Sequence, residues 1–189
     1  MDNNERAVEL LDRMGRIAHG LQFVLGLNPA QWEALRFLAR ANRYSRSPSA
    51  LADFLGTTKG TASQTLIALE SKGLVKRTRR ASDRRSVDLE VTPAGMELIA
   101  KDPMGLVLEA ASRLSGAECE AMNAGLGILV ANLQRAIGLP EFGPCPECVH
   151  FCEGTGEPGA QLVCRCALTD DELPFHDLHL VCAKFESVV

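Results

Sequence analysis

The sequence has no long uninterrupted hydrophobic run and none of the residue patterns that mark a common catalytic site. The first twenty residues, MDNNERAVELLDRMGRIAHG, alternate charged and apolar positions. They therefore match neither a secretory signal nor a membrane-spanning helix. We find no nucleophile–base pair, phosphate-binding glycine loop or paired-carboxylate signature. These absences favour a soluble, cytoplasmic protein that is not an enzyme and has no membrane partner.

Charge is distributed unevenly along the 189 residues, although the net charge is only -4. Residues 43–86 carry ten Lys and Arg against three acids, whereas residues 141–189 carry nine acids against two bases. The basic part predicts a polyanionic partner. The acidic part cannot help to hold such a partner, so we expect it to serve another purpose.

Apolar residues recur every three or four positions through much of the first 140 residues, which predicts a mainly helical chain. The first such stripe runs from Ala7 to Val24, and the last runs from Cys119 to Ile137. We expect Pro103 to interrupt the helix that precedes the last one.

Two short helices and a hairpin are predicted within the basic part. SRSPSALADFLG is typical of a Ser-capped helix that closes at Gly56, and TTKGTASQTLIALESKG is typical of a Thr-capped helix that ends at Gly73. LVKRT and VDLEV flank the basic RRASDRRS and predict two strands joined by a charged tip. Helix, turn, helix and hairpin together predict a winged helix-turn-helix.

The most specific stretch is LESKGLVKRTRRASDRRSVDLEVTPAG, which runs from the end of the second helix through the hairpin to the next helix start. On this stretch, residues 5–138 resemble the MarR family of winged-helix transcriptional regulators. The resemblance implies a homodimer, held by its first and last helices, on a palindromic double-stranded DNA operator. We therefore divide the chain into residues 1–140, with a DNA-binding core at about 29–91, and a cysteine-rich segment at 141–189.

The expected DNA-binding residues lie at the start of the second short helix and along the hairpin. Because Ala62, Leu66 and Leu69 form an apolar stripe, the short polar side chains between them should face outward and approach base edges. Basic side chains should contact phosphates, and the resemblance places Arg84 in the minor groove, with Asp83 positioning it or its neighbour. The full set is Thr58, Lys59, Thr61, Ser63, Gln64, Lys76, Arg77, Arg79, Arg80, Arg84 and Arg85.

Six of the seven cysteines lie between Cys145 and Cys182, and in a reducing compartment such clustering favours a metal site over disulfides. The pattern Cys145-x2-Cys148-x2-Phe, Cys166-x-Leu and Cys182-x2-Phe resembles small modules similar to high-potential iron–sulfur proteins. That resemblance implies a cluster, of the 4Fe-4S type, bound by Cys145, Cys148, Cys166 and Cys182. The residues expected to shield it from water are Phe151, Leu168, Phe175 and Phe185.

Zinc is the alternative metal, because a Cys-Pro-Glu-Cys turn is half of a four-cysteine zinc site, although no second Cys-x2-Cys follows. A thiol–disulfide switch is a third interpretation. Cys152 and Cys164 exceed four ligands and are alternate ligands, resolving thiols or packed residues. The histidines of the segment, His150, His176 and His179, are expected to be surface or packed residues, and Cys119 to be a core residue.

The predicted fold is mainly α with a β-hairpin wing, dimerisation helices and a short irregular metal-binding module. The predicted function is transcriptional regulation in which the cluster senses redox state, oxygen, nitric oxide or iron supply and modulates operator binding. Because the module follows a dimerisation helix, we expect it to change the spacing of the two DNA-reading units. Two alternatives stay open: a regulator that responds to a small aromatic effector and carries a structural zinc, and an electron-transfer or accessory protein whose winged helix docks to proteins.

Overall fold

Capping side chains set the helix boundaries in the computed structural model, which describes residues 2–79, 87–154 and 163–188. The side chains of Asp2, Asn28 and Ser115 form capping boxes, in which the cap and a residue of the first turn satisfy each other's backbone N–H groups. Within the described ranges the helices are α1 (Asn3–Leu21), α2 (Pro29–Arg40), α3 (Pro48–Phe54), α4 (Lys59–Ser71), α5 (Pro93–Ile99), α6 (Gly105–Ala111) and α7 (Gly116–Ile137).

Helices α2, α3 and α4 pack with a two-stranded hairpin, β1 (Val75–Arg79) and β2 (Val87–Val91), around one apolar core. The strands are antiparallel, and Val75 lies opposite Val91. Leu89 of β2 is fully buried and its N–H donates to Arg46 O at 2.9 Å, which joins the hairpin to the α2–α3 loop. The predicted mainly helical chain with a hairpin wing is therefore confirmed, while its tip, residues 80–86, lies outside the described residues.

Gly95, near the start of α5, allows this helix to pack closely against the hairpin. A Cβ atom at this position would lie 2.4 Å from Leu74 O and 2.7 Å from Val91 Cγ1. The predicted interruption at Pro103 is also confirmed, because α5 ends at Ile99 and α6 begins at Gly105.

Three helices leave apolar faces uncovered in the single chain. An apolar groove of about 610 Å³ lies between α1 and α6, with Met14 and Leu106 among its lining residues. Helix α7 has no buried residue, and Leu133 and Ile137 are exposed on it. Cys119 was expected in a core, but it is only half-buried in the single chain.

The cysteine-rich segment folds into a small module built on a three-stranded antiparallel sheet. Its strands are β3 (Phe151–Cys152), β4 (Cys164–Cys166) and β5 (Asp171–Leu173), and two short 3-10 turns lie at Cys145–Glu147 and Phe175–Asp177. Residues 155–162, between β3 and β4, lie outside the described residues. The module was expected to be irregular, and this sheet is a degree of order that the sequence pattern did not predict.

The module packs against the winged helix through the α2–α3 loop, residues 41–47. Val181 adds a strand-like bridge to Ala41: its N–H donates to Arg40 O at 2.7 Å, and its carbonyl accepts from Asn42 N at 3.0 Å. Only 9% of Val181 is exposed, and it belongs to the winged-helix core. The module thus follows α7 in the chain, as expected, yet it packs on the winged helix itself, α2 to β2, which forms the reading unit of the predicted regulator.

Ser45 is the centre of this contact and is 0% exposed. Its hydroxyl donates to Asn42 Oδ1 at 2.8 Å and accepts from the Ala183 N–H at 2.7 Å. One side chain of the loop therefore satisfies a backbone donor of the module.

We expect Ser45→Ala to loosen this contact. The substitution leaves the half-buried Ala183 N–H without its acceptor, which lowers the free energy of unfolding by about 1–3 kcal/mol. Chemical denaturation measures the loss, and amide exchange at Ala183 should become faster. Ser49→Ala, on the exposed side of α3, is the matched control and should change stability by less than about 0.5 kcal/mol. Equal effects of the two substitutions would contradict the assigned contact.

Candidate functional site

Helix α4 presents a polar face at its start because its apolar residues point inward. Ala62, Leu66 and Leu69 are all fully buried, as the spacing predicted. Thr61 and Gln64 are exposed and Ser63 is partly exposed. The first two turns of α4 therefore offer hydroxyl and amide groups to a ligand outside the protein.

Thr58 forms the N-cap of α4. Its Oγ1 accepts from the Thr61 N–H at 3.2 Å and lies 3.0 Å from Thr61 Oγ1. Capping satisfies a backbone donor that a helix start otherwise leaves free. The structure thus gives Thr58 a positioning role in addition to the binding role predicted for it.

Of the predicted basic residues that the structure describes, three are exposed and one is tethered to neighbouring groups. Lys59, Lys76 and Arg79 are exposed around α4 and β1. Arg77 is tethered, because its Nε lies 3.1 Å from Glu70 Oε2 and its guanidinium also donates to the carbonyl of Ser63 at 3.4 Å. This pairing holds β1 against α4. The remaining three, Arg80, Arg84 and Arg85, lie with Asp83 outside the described residues.

A second site lies in the module, where the four predicted thiols line one small cavity. The cavity has a volume of about 20 Å³, enough for one water-sized group. Its lining consists of Tyr44, Cys145, Cys148, His150, Phe151, Cys166, Leu173, Cys182 and Lys184. The four cysteines that the resemblance to iron–sulfur modules implied as ligands therefore line the same cavity.

The thiols are close enough to influence one another electrostatically. The pKa of the Cys145 thiol is raised to about 11, mainly by burial and in addition by the nearby Cys182, Cys148, Cys166 and Asp177. Four sulfurs in a half-buried space favour a cation that would neutralise their thiolates, because metal ligation requires deprotonated cysteine. The backbone N–H of Lys184 donates to Cys182 Sγ at 3.4 Å.

The donor set suits an iron–sulfur cluster or zinc, since both take four thiolates. Within residues 2–79, 87–154 and 163–188, no three His, Cys, Asp or Glu side chains are placed to hold an ion as they stand. A single ion would require the sulfurs to draw together, and a cluster would require the walls of the small cavity to move apart.

The shielding residues differ in part from those predicted. Phe151 lines the cavity as expected. Phe185 instead packs on Gly143, where a Cβ atom would lie 2.6 Å from the ring. Leu168 is 52% exposed and Phe175 is 78% exposed, so their predicted role as shields is wrong. Both lie in surface turns, and hydrophobicity and spacing alone did not reveal which way these turns face.

Tyr44 lines the cavity from outside the module, and the sequence did not reveal it. It belongs to the α2–α3 loop, and its hydroxyl donates to Asp171 Oδ2 at 2.6 Å and lies 3.1 Å from Thr169 Oγ1. The hydrogen bond from Tyr44 is the main cause that lowers the pKa of Asp171. No sequence signal joins residues 127 positions apart in the chain.

The surplus cysteines and the histidines take different positions. Cys164 is buried with Cys145 and Leu173 in the small module core, whereas Cys152 is exposed. His150 lines the cavity, and its Nε2 lies 3.1 Å from Glu186 Oε2. His176 and His179 are exposed away from the cavity lining.

No helix among the described residues combines the length and the apolar character needed to cross a membrane.

Comparisons with known proteins match the larger part of the chain. Residues 25–86 match the model of the MarR family. MepR of Staphylococcus aureus in its DNA-binding conformation is 23% identical, with a TM-score of 0.58, over 71% of this chain and 100% of its own. The S. aureus MepR–DNA complex is 25% identical, with a TM-score of 0.53, over 71% and 99%. FabT of Streptococcus pneumoniae in complex with DNA is 23% identical, with a TM-score of 0.55, over 70% and 96%.

These likenesses show the winged-helix fold. Because 71% of this chain accounts for nearly all of MepR, the rest of this chain has no counterpart there. No curated protein matches the chain significantly.

Proposed function

We propose that the chain is a MarR-type transcriptional regulator that binds a palindromic DNA operator as a homodimer and holds an iron–sulfur cluster in its thiol site. The DNA-binding part of this proposal rests on one observation: α4 exposes polar side chains at its start, while its apolar residues are buried. Thr61, Ser63 and Gln64 are short enough for the edges of base pairs in the major groove. The proposed function requires binding and regulation, without catalysis.

Basic residues around α4 support the choice of partner. Lys59, Lys76 and Arg79 are exposed next to the polar face, and the segment that continues into the wing tip adds Arg80, Arg84 and Arg85. Phosphate contacts of this kind supply affinity and register, whereas base contacts supply specificity. MepR and FabT, which share the fold, were both solved with DNA.

The uncovered apolar faces support a homodimer. Leu10 and Ile17 of α1, Leu108 of α6, and Leu133 and Ile137 of α7 are exposed in the single chain. Large contiguous apolar patches mark interaction sites, and a second copy of the same three helices would cover them. A symmetric pair would then place two α4 helices on one side of a duplex, with half-sites about one helical turn apart.

The cluster is supported by the convergence of four thiols. Cys145 and Cys148 come from a turn, Cys166 from β4 and Cys182 from the segment after the second 3-10 turn. Ligands from three separate segments suit a multi-atom centre that ties the module together. When bound, such a centre changes charge with its redox state, so redox state, oxygen, nitric oxide or iron supply could act through it. The hydrogen bond that the Lys184 N–H donates to Cys182 Sγ would tune the reduction potential of the cluster.

A second candidate function is a regulator that responds to a small aromatic effector and carries zinc in the same thiols. A pocket of about 360 Å³ between α2 and the module favours this alternative. Phe37, Phe54 and Phe142 pack around it, and Arg36 and Arg40 lie at its edge. This chemistry suits a flat ring with an anionic group. The metal assay below distinguishes the two candidates.

The DNA-reading face is tested by two substitutions with different expected effects. Gln64→Ala should relax base preference at one position of the half-site, with a loss of about 1–3 kcal/mol of discrimination. Lys59→Ala should weaken binding to all sequences. It should also reduce the steepness of the slope of log K against log salt concentration by about one. Titration of operator and scrambled duplexes at several salt concentrations measures both. Lys101→Ala, in the exposed turn that follows α5, is the control. Wild-type affinity and preference in both variants would contradict the assigned face.

The metal centre is tested by single Cys→Ser variants of protein purified without oxygen. Loss of one ligand from Cys145, Cys148, Cys166 or Cys182 should abolish iron, sulfide and visible absorbance. Cys119→Ser, in α7, should retain all three and is the matched control. Colourless wild-type protein with one zinc per chain would contradict the cluster and support the second candidate.

A further inference from the structure

We infer that Tyr44 is the contact through which the state of the thiol site reaches the wing, so that the signal enters the α2–α3 loop rather than the dimerisation helices. The inference rests on the proposed function, because it names how the thiol site regulates DNA binding. Tyr44 is the one residue of the reading unit that lines the described thiol cavity. Its hydroxyl also donates to Asp171 in β5, the strand that pairs with the strand of Cys166.

Tyr44 contacts the thiol site in two ways. Its ring forms part of the cavity wall, alongside Cys145, Cys148, Cys166 and Cys182. Its hydroxyl is bonded to Asp171, and Asp171 is the cross-strand partner of Cys166 in the β4–β5 ladder. A displacement of Cys166 by a bound metal centre would therefore move the acceptor of the Tyr44 hydroxyl.

Two cations hold the tyrosine ring in this position. Lys184 Nζ lies 5.3 Å from the ring centre, and Arg43 Cζ lies 5.1 Å from it. Arg43 also donates to the carbonyl of Glu172 in β5. Cations over an aromatic face are attracted to it, so the ring is clamped by one residue from the loop and one from the module.

The loop passes the displacement to the wing over a short distance. Tyr44 precedes Ser45, which is bonded to the module, and Arg46, whose carbonyl accepts from the Leu89 N–H of β2 at 2.9 Å. Arg46 Nε also donates to Ala41 O at 3.0 Å, which closes the loop on itself. Ser47 then caps α3, the helix that packs on α4. The residue that bonds to the wing, Arg46, and the cap of α3, Ser47, thus both lie within three residues of Tyr44.

The route through α7 is less well connected. An open groove of about 450 Å³ separates much of α7 from the module, with Val130 and Phe185 on opposite sides. At the end of the helix, Gln134 donates to Pro140 O on the surface at 3.1 Å. Coupling requires elements that move together, and the buried loop contact meets this condition better than the groove.

The inference is tested on full-length protein with Tyr44→Phe, which retains the ring and removes the hydroxyl. Operator affinity is measured at fixed salt for metal-loaded and chelator-treated protein, together with iron and zinc content. In the wild type we expect the two affinities to differ by about 5- to 150-fold. In Tyr44→Phe the metal content should be unchanged, while the ratio should fall to about twofold or less. Amide exchange of Leu89 gives a second readout without DNA, and chelation should accelerate it in the wild type only.

A double-mutant cycle with Asp171→Ala separates the contact from general disturbance of the module. Tyr44→Phe and Asp171→Ala should be non-additive in Leu89 exchange, because they remove the same hydrogen bond. Glu172→Ala, the next residue of β5, is the control and should be additive with Tyr44→Phe.

The outcomes decide the proposed function and the inference separately. Wild-type protein that binds the operator but contains neither iron nor zinc contradicts the metal site. In that case the double-mutant cycle, read by the amide exchange of Leu89, is the test of the Tyr44 contact. Additive effects of Tyr44→Phe and Asp171→Ala overturn the inference. A wild-type metal dependence that persists in Tyr44→Phe also overturns it, and leaves the metal site intact.

Discussion

The contact between Ser45, Asn42 and the strand segment around Val181 is the constraint on which the rest of the arrangement depends. It consists of three hydrogen bonds that join the module to Arg40, at the end of α2, and to the α2–α3 loop, and of one hydrogen bond within the loop, from Ser45 to Asn42. Val181 is also buried in the winged-helix core. Because a small domain of this kind buries little apolar surface by itself, its position depends on being anchored to a larger core. The module and the reading unit therefore form one packed body.

Two kinds of surface follow from this arrangement. The polar start of α4 and the basic residues around it stay exposed, because the module packs on the loop and leaves that face free. The apolar faces of α1, α6 and α7 also stay uncovered, and Leu133 and Ile137 remain exposed. One body thus carries a face suited to DNA, a face suited to a second copy, and a thiol site that contacts the loop between the first two helices of the reading unit.

The sequence predicted the features that depend on neighbouring residues in the chain, such as helix caps and the buried side of a helix. The predicted serine and threonine caps, Ser47 and Thr58, begin α3 and α4, and the stripe of Ala62, Leu66 and Leu69 points inward as its spacing required. The four cysteines that the resemblance to iron–sulfur modules implied as ligands also share a cavity.

Long-range packing was not predictable in the same way. The partner of Tyr44 lies 127 residues away, and neither composition nor periodicity encodes such a pair. Leu168 and Phe175 were predicted as shields from their hydrophobicity and position, yet both are exposed because turn orientation depends on tertiary contacts. Arg77 was predicted from its charge alone, whereas its pairing with Glu70 becomes visible only when β1 packs on α4.

The central claim is that the thiol site and the DNA-reading unit are thermodynamically coupled, and coupling between two binding sites is reciprocal. The most direct measurement is an equilibrium competition for the metal centre against a chelator, with and without saturating operator, using a scrambled duplex as the control. The account predicts that operator DNA shifts the chelator concentration for half-loss by about 5- to 150-fold, and that the scrambled duplex shifts it much less. An identical midpoint with operator, with scrambled duplex and without DNA would contradict it.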